Sequence, residues 1–518
     1  MSYHRNSTHR LGLFHHEPIY SKLKNESVDN LLTKAGGWGP LQLKSFLFAI
    51  IALQGTNICV YNLAYFELLP RLLCTTDGIE YHQWGQTNGH TMSHVDHKYS
   101  HQTEMCVDGN LIGEEYWKVD YSDSISLHNW MTEHKLYCEP RFYIGLFGSI
   151  YFIGVALQGL LLKLSDYYGR LSLIRVIAWV QVVSTLLMYT VQDYHYYYVL
   201  LFLIGVWASK QYCVFIYINE TSTQQYRTFV NCIACMFDTS FVLIISSLYF
   251  ILGGKNWRHL AVIAPISWTL WVFLSFFVYE SPKFLHARGK YEELATFINE
   301  SARQNGVNFK IEENLRLHNK IMSDVIDENG IKTHIFQTEY SIWNDLKQMK
   351  ILRNFIVTVL TFAFMTYTYF LMGLYMKYAV GNIFFNTLVT SILDVIAYLS
   401  IYVILKFIGL KSSLTVLSSI AILFGIPLIF NLPVKISNVC LILTRFGIQA
   451  TYPWMHYLGN SGLFNPLFVP FVYMIGSFTG KLFTILAPQI VELPEPIPIV
   501  SFLIAWFGIF ICSRLIKI

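Results

Sequence analysis

Ser209–Thr228 reads SKQYCVFIYINETSTQQYRT. Lys210 stands inside an apolar run, Glu220 closes that run, and Arg227 opens the next. An ionisable side chain within a membrane span is expensive, so it lines a cavity or pairs with a partner. The stretch therefore reads as the end of one spanning helix, a short polar turn, and the start of another.

Outward from it, the composition agrees. The 518 residues are 54% hydrophobic and 14% charged, against about 25% charged in ordinary globular proteins. Mean hydropathy is +0.41. These values point to an all-α polytopic membrane protein, whose partner is the lipid bilayer. The net charge of +4 is small and spread out, so nucleic acid is not an expected partner. Nine cysteines over this length do not make a disulfide scaffold.

A helix needs about 20 apolar residues to cross the hydrocarbon. Twelve such runs occur, at 43–66, 142–164, 172–191, 196–219, 228–251, 258–279, 353–378, 383–406, 412–431, 436–458, 464–489 and 496–514. They divide the chain into a tail (1–42), a six-helix half (43–279), a linker (280–352) and a second six-helix half (353–518). Lys and Arg in the short loops, with those of the tail and the linker, place both termini on the cytosolic (or organellar matrix) side. The tail lacks the apolar core of a secretory signal and only faintly suggests a transit peptide. Within the linker, Tyr291–Gln304 and Ile342–Met349 space apolar residues at helical intervals, as bracing cytosolic helices do.

The long loop 67–141 falls on the outer face. Its Cys74, Cys106 and Cys138 are candidates for one disulfide, with Cys59 as a fourth thiol nearby. His90, His94, His97 and His101 have spacings that could gather imidazoles, but a solvated polar loop fits them better, and no metal or other cofactor is expected. The sequons at Asn6, Asn25, Asn219 and Asn299 lie on the inner side or in a span.

Several segments resemble the organic cation/anion transporter family of the major facilitator superfamily. Ser165, Asp166, Gly169 and Arg170 match its loop between spans two and three, with Leu162, Tyr167 and Leu171 departing from it. Lys210, Glu220 and Arg227 match the segment joining spans four and five. Trp257-Arg258 looks like the W-R signature, and Glu280-Ser281-Pro282-Lys283-Phe284-Leu285 like E-S-P-[RK]-[WF]-L. The second half fits less closely, through Asp394 with Ala397-Tyr398, Arg445-Phe446-Gly447, and Gly480-Lys481-Leu482 with Ala487-Pro488. The family's Glu and Arg between spans ten and eleven are absent from LGNSGLFNPLF, and its second G-R-R/K loop is Gly409-Leu410-Lys411.

The resemblance implies a major facilitator fold and alternating access around a midplane site. It makes Asp166, Gly169, Arg170, Glu220, Arg227, Glu280 and Arg445 gate or latch residues. Asp166/Arg170 and a Glu220/Arg227 pair would form the inner latch, weakened by the losses in the second half. Lys210, Tyr217, Tyr369, Asp394 and Lys481 are the expected cavity residues. A Lys at position 481 favours anions or zwitterions as cargo, unless Lys210 and Lys481 are fixed partners of Asp394, Asp238 or Glu220. Aromatic side chains such as Tyr369 could stack on organic ions, although packing is the commoner use of aromatics in spans.

No nucleophile elbow or P-loop is present, and Cys232-Ile-Ala-Cys235 lies inside a span as two small core residues. The expected function is transport of a small organic ion rather than enzymatic catalysis, in the plasma membrane by family resemblance. The rival reading is a transport-inactive structural subunit of a larger membrane assembly, in the mitochondrial inner membrane.

Overall fold

The computed structural model describes residues 27–76, 79–81, 106–107, 110–111, 117–158, 162–208, 213–311, 346–430, 432–454, 463–464 and 468–516. Eight helical stretches are long and apolar enough to cross a membrane, and Pro40–Gly55, Arg141–Leu157 and His195–Val206 are shorter apolar helices. The fold is the all-α major facilitator bundle.

In the first half, a short helix α1 (Val28–Lys34) precedes α2 (Pro40–Tyr61), whose proline fits the first turn because its missing N–H has no helical partner there. The half continues through α3 (Leu63–Phe66), α4 (Trp130–Glu133), α5 (Arg141–Leu157), α6 (Leu162–Tyr168) and α7 (Arg170–Leu187). It closes with α8 (His195–Val206), α9 (Phe215–Thr221), α10 (Gln224–Ile251), α11 (Trp257–Ala261) and α12 (Ile263–Leu274). The linker contributes α13 (Pro282–Ala287) and α14 (Tyr291–Gln304).

The second half holds α15 (Met349–Tyr375), α16 (Ile383–Gly425), α17 (Val434–Thr451), α18 (Val469–Thr484), α19 (Ala487–Val491) and α20 (Ile497–Leu515). Spans eight and nine run together as α16, broken by a non-helical Gly409. The halves meet where α10 packs on α16, and where α5 packs on α18 and α19.

Amphipathic α14 appears where the linker's periodicity places it, burying Leu294, Phe297 and Ile298. It shares a hydrophobic cluster with Val28, Leu31 and Leu32 of α1, separate from the main core. The part of the tail nearest the membrane is thus a docked helix, because its apolar stripe finds a partner in the linker. Half of the second expected linker helix, residues 342–345, lies outside the described residues.

The outer loop also differs from a plain polar loop. Leu72–Thr76 pairs antiparallel with both Ile79–Tyr81 and Trp117–Val119. Asn129 ties the loop to the bundle, its amide donating to the carbonyls of Tyr65 (2.9 Å) and Leu68 (2.7 Å). The W-R pair has a structural use here, since Trp257 Nε1 donates to Glu133 at 2.8 Å and Arg258 pairs with the same carboxylate. Cys138 is disulfide-bonded and Cys59 is a buried free thiol, which leaves Cys74 and Cys106 as candidate partners for Cys138. The outer-loop histidines from His82 to His101 lie outside the described residues.

Candidate functional site

The candidate site is built where α2, α5, α10, α15, α17 and α18 converge. Two narrow cavities share the walls Val60, Tyr61, Phe152 and Phe370. One, of about 30 Å³, adds Thr239, Tyr369 and Arg445. The other, of about 10 Å³, adds Gln158 and Lys481. A single water needs roughly 10–15 Å³, so these spaces admit water but no organic solute.

A continuous path of polar and aromatic contacts crosses the site. Lys481 Nζ lies 5.1 Å from the centroid of Phe370. Phe370 stacks on Tyr61 with centroids 6.2 Å apart and planes within 6°. The Tyr61 hydroxyl donates to Asp238 Oδ2 at 3.1 Å, and Asn57 donates to Asp238 Oδ1 at 2.9 Å. Lys481 of the second half lines the smaller cavity, and Asp238 of the first half lies behind Tyr61, so two rings stand between cation and carboxylate.

Arg445 and Asp394 form a second buried set. Arg445 donates to Asp394 Oδ2 at 3.3 Å, and Gln449 donates to the same oxygen at 2.9 Å. Tyr398 in turn donates to the Gln449 side-chain Oε1 at 2.7 Å. Arg445, expected at the gate, therefore stands in the cavity wall, because span ten turns this face toward Asp394. Asp394 is engaged by Arg445 and Glu220 by Arg170.

Of the other cavity candidates, Tyr369 lines the site and bonds Thr239. Tyr217 does not line it: its hydroxyl donates to the Tyr279 carbonyl at 2.9 Å and its ring meets Phe48 inside the first half. Residue 217 falls on the buried side of α9 that faces α2, a placement helical periodicity alone could not fix. Lys210 lies outside the described residues, although Ala208, just before it, lines the smaller cavity.

The inner face carries a charge hub within the first half. Arg170 clamps Glu220 with two hydrogen bonds of 2.9 Å. Glu280 accepts from the backbone amides of Arg170 (3.1 Å) and Leu171 (3.0 Å). Ser281 joins the two carboxylates, donating from its hydroxyl to Glu220 at 2.5 Å and from its amide to Glu280 at 2.9 Å. Burial lifts the Glu280 carboxyl above its usual range, opposed by those backbone amides. Gly169 takes φ +98°, and a Cβ there would come within 2.6 Å of Glu280.

Glu220 therefore meets Arg170, not Arg227. Arg227 pairs instead with Asp29 of α1, which also receives Lys283 at 3.3 Å. The expected pair fails because α9 ends before Arg227 and the chain turns at Ser222, which sends the two side chains to different neighbours. Asp166 is in α6, and its side chain is outside what is described.

Sequence reasoning missed a second cluster, on the outer face. Lys377 Nζ sits 2.8 Å from Glu67 and 2.5 Å from Glu492, all three side chains at most 3% exposed. Tyr378 donates to Glu492 at 2.6 Å. Glu67 belongs to the first half and the other three to the second. Their signal was an isolated charge at the end of an apolar run, which marks a membrane boundary equally well. Beside the cluster lies an outer pocket of about 550 Å³.

The family profile described as "Sugar (and other) transporter" matches residues 91–507. The human "Organic cation/carnitine transporter 2" is 24% identical over 400 residues, covering 76% of this chain and 67% of that protein. A protein of the same title from Arabidopsis thaliana is 28% identical over 214 residues, covering 38% and 40%. Among solved structures, the inward open xylose transporter XylE from E. coli superposes with a TM-score of 0.58 at 12% identity, covering 92% of this chain and 94% of that one.

Proposed function

The chain belongs to the sugar (and other) transporter family, as a divergent member of its organic ion branch, and on that premise we propose that it carries a small zwitterionic organic solute by alternating access. The observation that carries this reading is the chain of contacts between the halves, with Lys481 over Phe370 at one end and Asp238 behind Tyr61 at the other. A solute with a carboxylate and a quaternary or protonated amine meets one of each, and the stacked rings suit the cationic end. Charges within a span cost about 3 kcal/mol each on insertion scales, so a set of four at the midplane needs a use or tight pairing. Names of relatives that include carnitine, itself a zwitterion, support the same class.

Uptake into proteoliposomes tests it. Carnitine should enter in preference to a simple organic anion or a simple organic cation, and Lys481→Ala should remove most of that uptake. Normal uptake by the variant would sink the assignment. By the same family likeness, the plasma membrane is the proposed location. The structural-subunit reading has no support from the relatives, which are named as transporters or solute carriers.

A further inference from the structure

The outer cluster is arranged asymmetrically. Lys377 bridges two carboxylates, but Glu492 comes from its own half and Glu67 from the other. When the halves part on the outer side, Lys377 and Glu492 stay together as a neutral pair, with Tyr378 still on Glu492. Glu67 alone loses its partner. Its Oε1 is buried and has no hydrogen-bond partner among the described residues even in the closed state.

We propose that Glu67 is a cation-binding gate residue: as the outer side opens, its carboxylate takes a proton or a substituted ammonium ion in place of Lys377. The outer pocket is the approach. Glu67 and Lys377 are in its wall, and its volume of about 550 Å³ falls in the range of small-molecule sites, roughly 300–1,000 Å³.

The other charges facing this region do not supply the missing partner. Arg71 is already paired with Asp123 at 2.5 Å. Arg141 lines the pocket and stabilises the Glu492 carboxylate. Glu495, also in the wall, adds negative charge. From span four, the Tyr198 phenol also lies within electrostatic reach of Glu67. Burial also pushes the Glu67 carboxyl up to about 7, with Lys377 pulling the other way. A proton is therefore available to it near neutral pH.

This inference rests on the alternating-access reading, so its test reads gate accessibility and not flux. Val60 lies one and a half to two turns before Glu67 and lines both midplane cavities. A Val60→Cys reporter in the full-length protein in liposomes is labelled from outside with a membrane-impermeant thiol reagent, against the same protein without the reporter. One arm lowers the pH from 8.5 to 6. The other adds tetramethylammonium chloride at pH 8.5, matched with sodium chloride.

Labelling should be slow at pH 8.5 and accelerate on acidification, by up to about tenfold per pH unit on the alkaline side of the carboxyl's midpoint. A response to tetramethylammonium assigns the site to ammonium ions as well, whereas a response to pH alone assigns it to the proton. Glu67→Gln should label fast in every condition. Lys377→Met keeps Glu67 but sets it against Glu492, so its pH response should invert, open at 8.5 and reclosing at 6. Flat labelling in both arms, a Glu67→Gln protein as slow and as responsive as the parent, or a Lys377→Met protein with the parent's direction of response would each overturn the proposal. Absent uptake with intact gating would count against the transport reading alone.

Discussion

Gly169, between spans two and three, and Gly409, between spans eight and nine, adopt nearly the same backbone, φ 98°, ψ 162° and φ 75°, ψ 171°. Their surroundings differ. Beside Gly169 lie Glu280 and the Arg170–Glu220 clamp. Around Gly409, among the described residues, no atom beyond its own stretch of chain lies within 4 Å of where a Cβ would be. There the Leu410 carbonyl accepts Trp454 Nε1 at 3.1 Å, and Lys411 donates to the Ile516 carbonyl at 2.9 Å. The fold needs the sharp turn in both halves, which a positive-φ glycine supplies. It does not need the charges, which only one half wires into a hub.

Breaking the hub gives the largest expected contrast. Arg170→Ala leaves Glu220 without its counter-ion in a largely buried setting and should cost about 3–5 kcal/mol. Lys411→Ala, the matching change in the other half, removes one hydrogen bond and should cost about 1 kcal/mol. Midpoints of thermal unfolding in detergent compare them, and equal shifts would mean that the two turns are equivalent.

The glycines sharpen the same contrast. Gly409→Ala should cost about 1–3 kcal/mol, because its positive-φ extended backbone is a region essentially reserved for glycine. Gly169→Ala carries that cost and must also displace the Glu280 carboxylate, so it should be measurably worse in the same assay. The smallest effect concerns α1. Asp29→Asn removes a partly exposed partner of Arg227 and Lys283, worth about 1 kcal/mol or less. Limited proteolysis should show earlier cleavage near α1 while the spans stay protected; unchanged cleavage would mean that the apolar contacts alone hold the helix.

Much of the fold was legible because apolar runs of spanning length and their separating turns are local properties. Each expected run that is described holds helix. The motif residues in the first half also found one another in part, as with Arg170, Glu220 and Glu280. Pairings across long separations were not legible. Nothing near Glu220 distinguishes Arg170 from Arg227 as its partner, and Asp29 lies 198 residues before Arg227. Glu67 and Lys377 are 310 residues apart.

By itself the sequence determined a membrane bundle and its transporter kinship, because hydrophobic length and short motifs act within a few turns of helix. Tertiary structure alone decided which charges meet. Helix rotation and the meeting of the two halves placed Arg445 against Asp394, sent Arg227 to Asp29, and joined Glu67 to Lys377. In a low-dielectric interior a charge is held by whichever partner packing brings within reach, and packing is a property of the whole bundle.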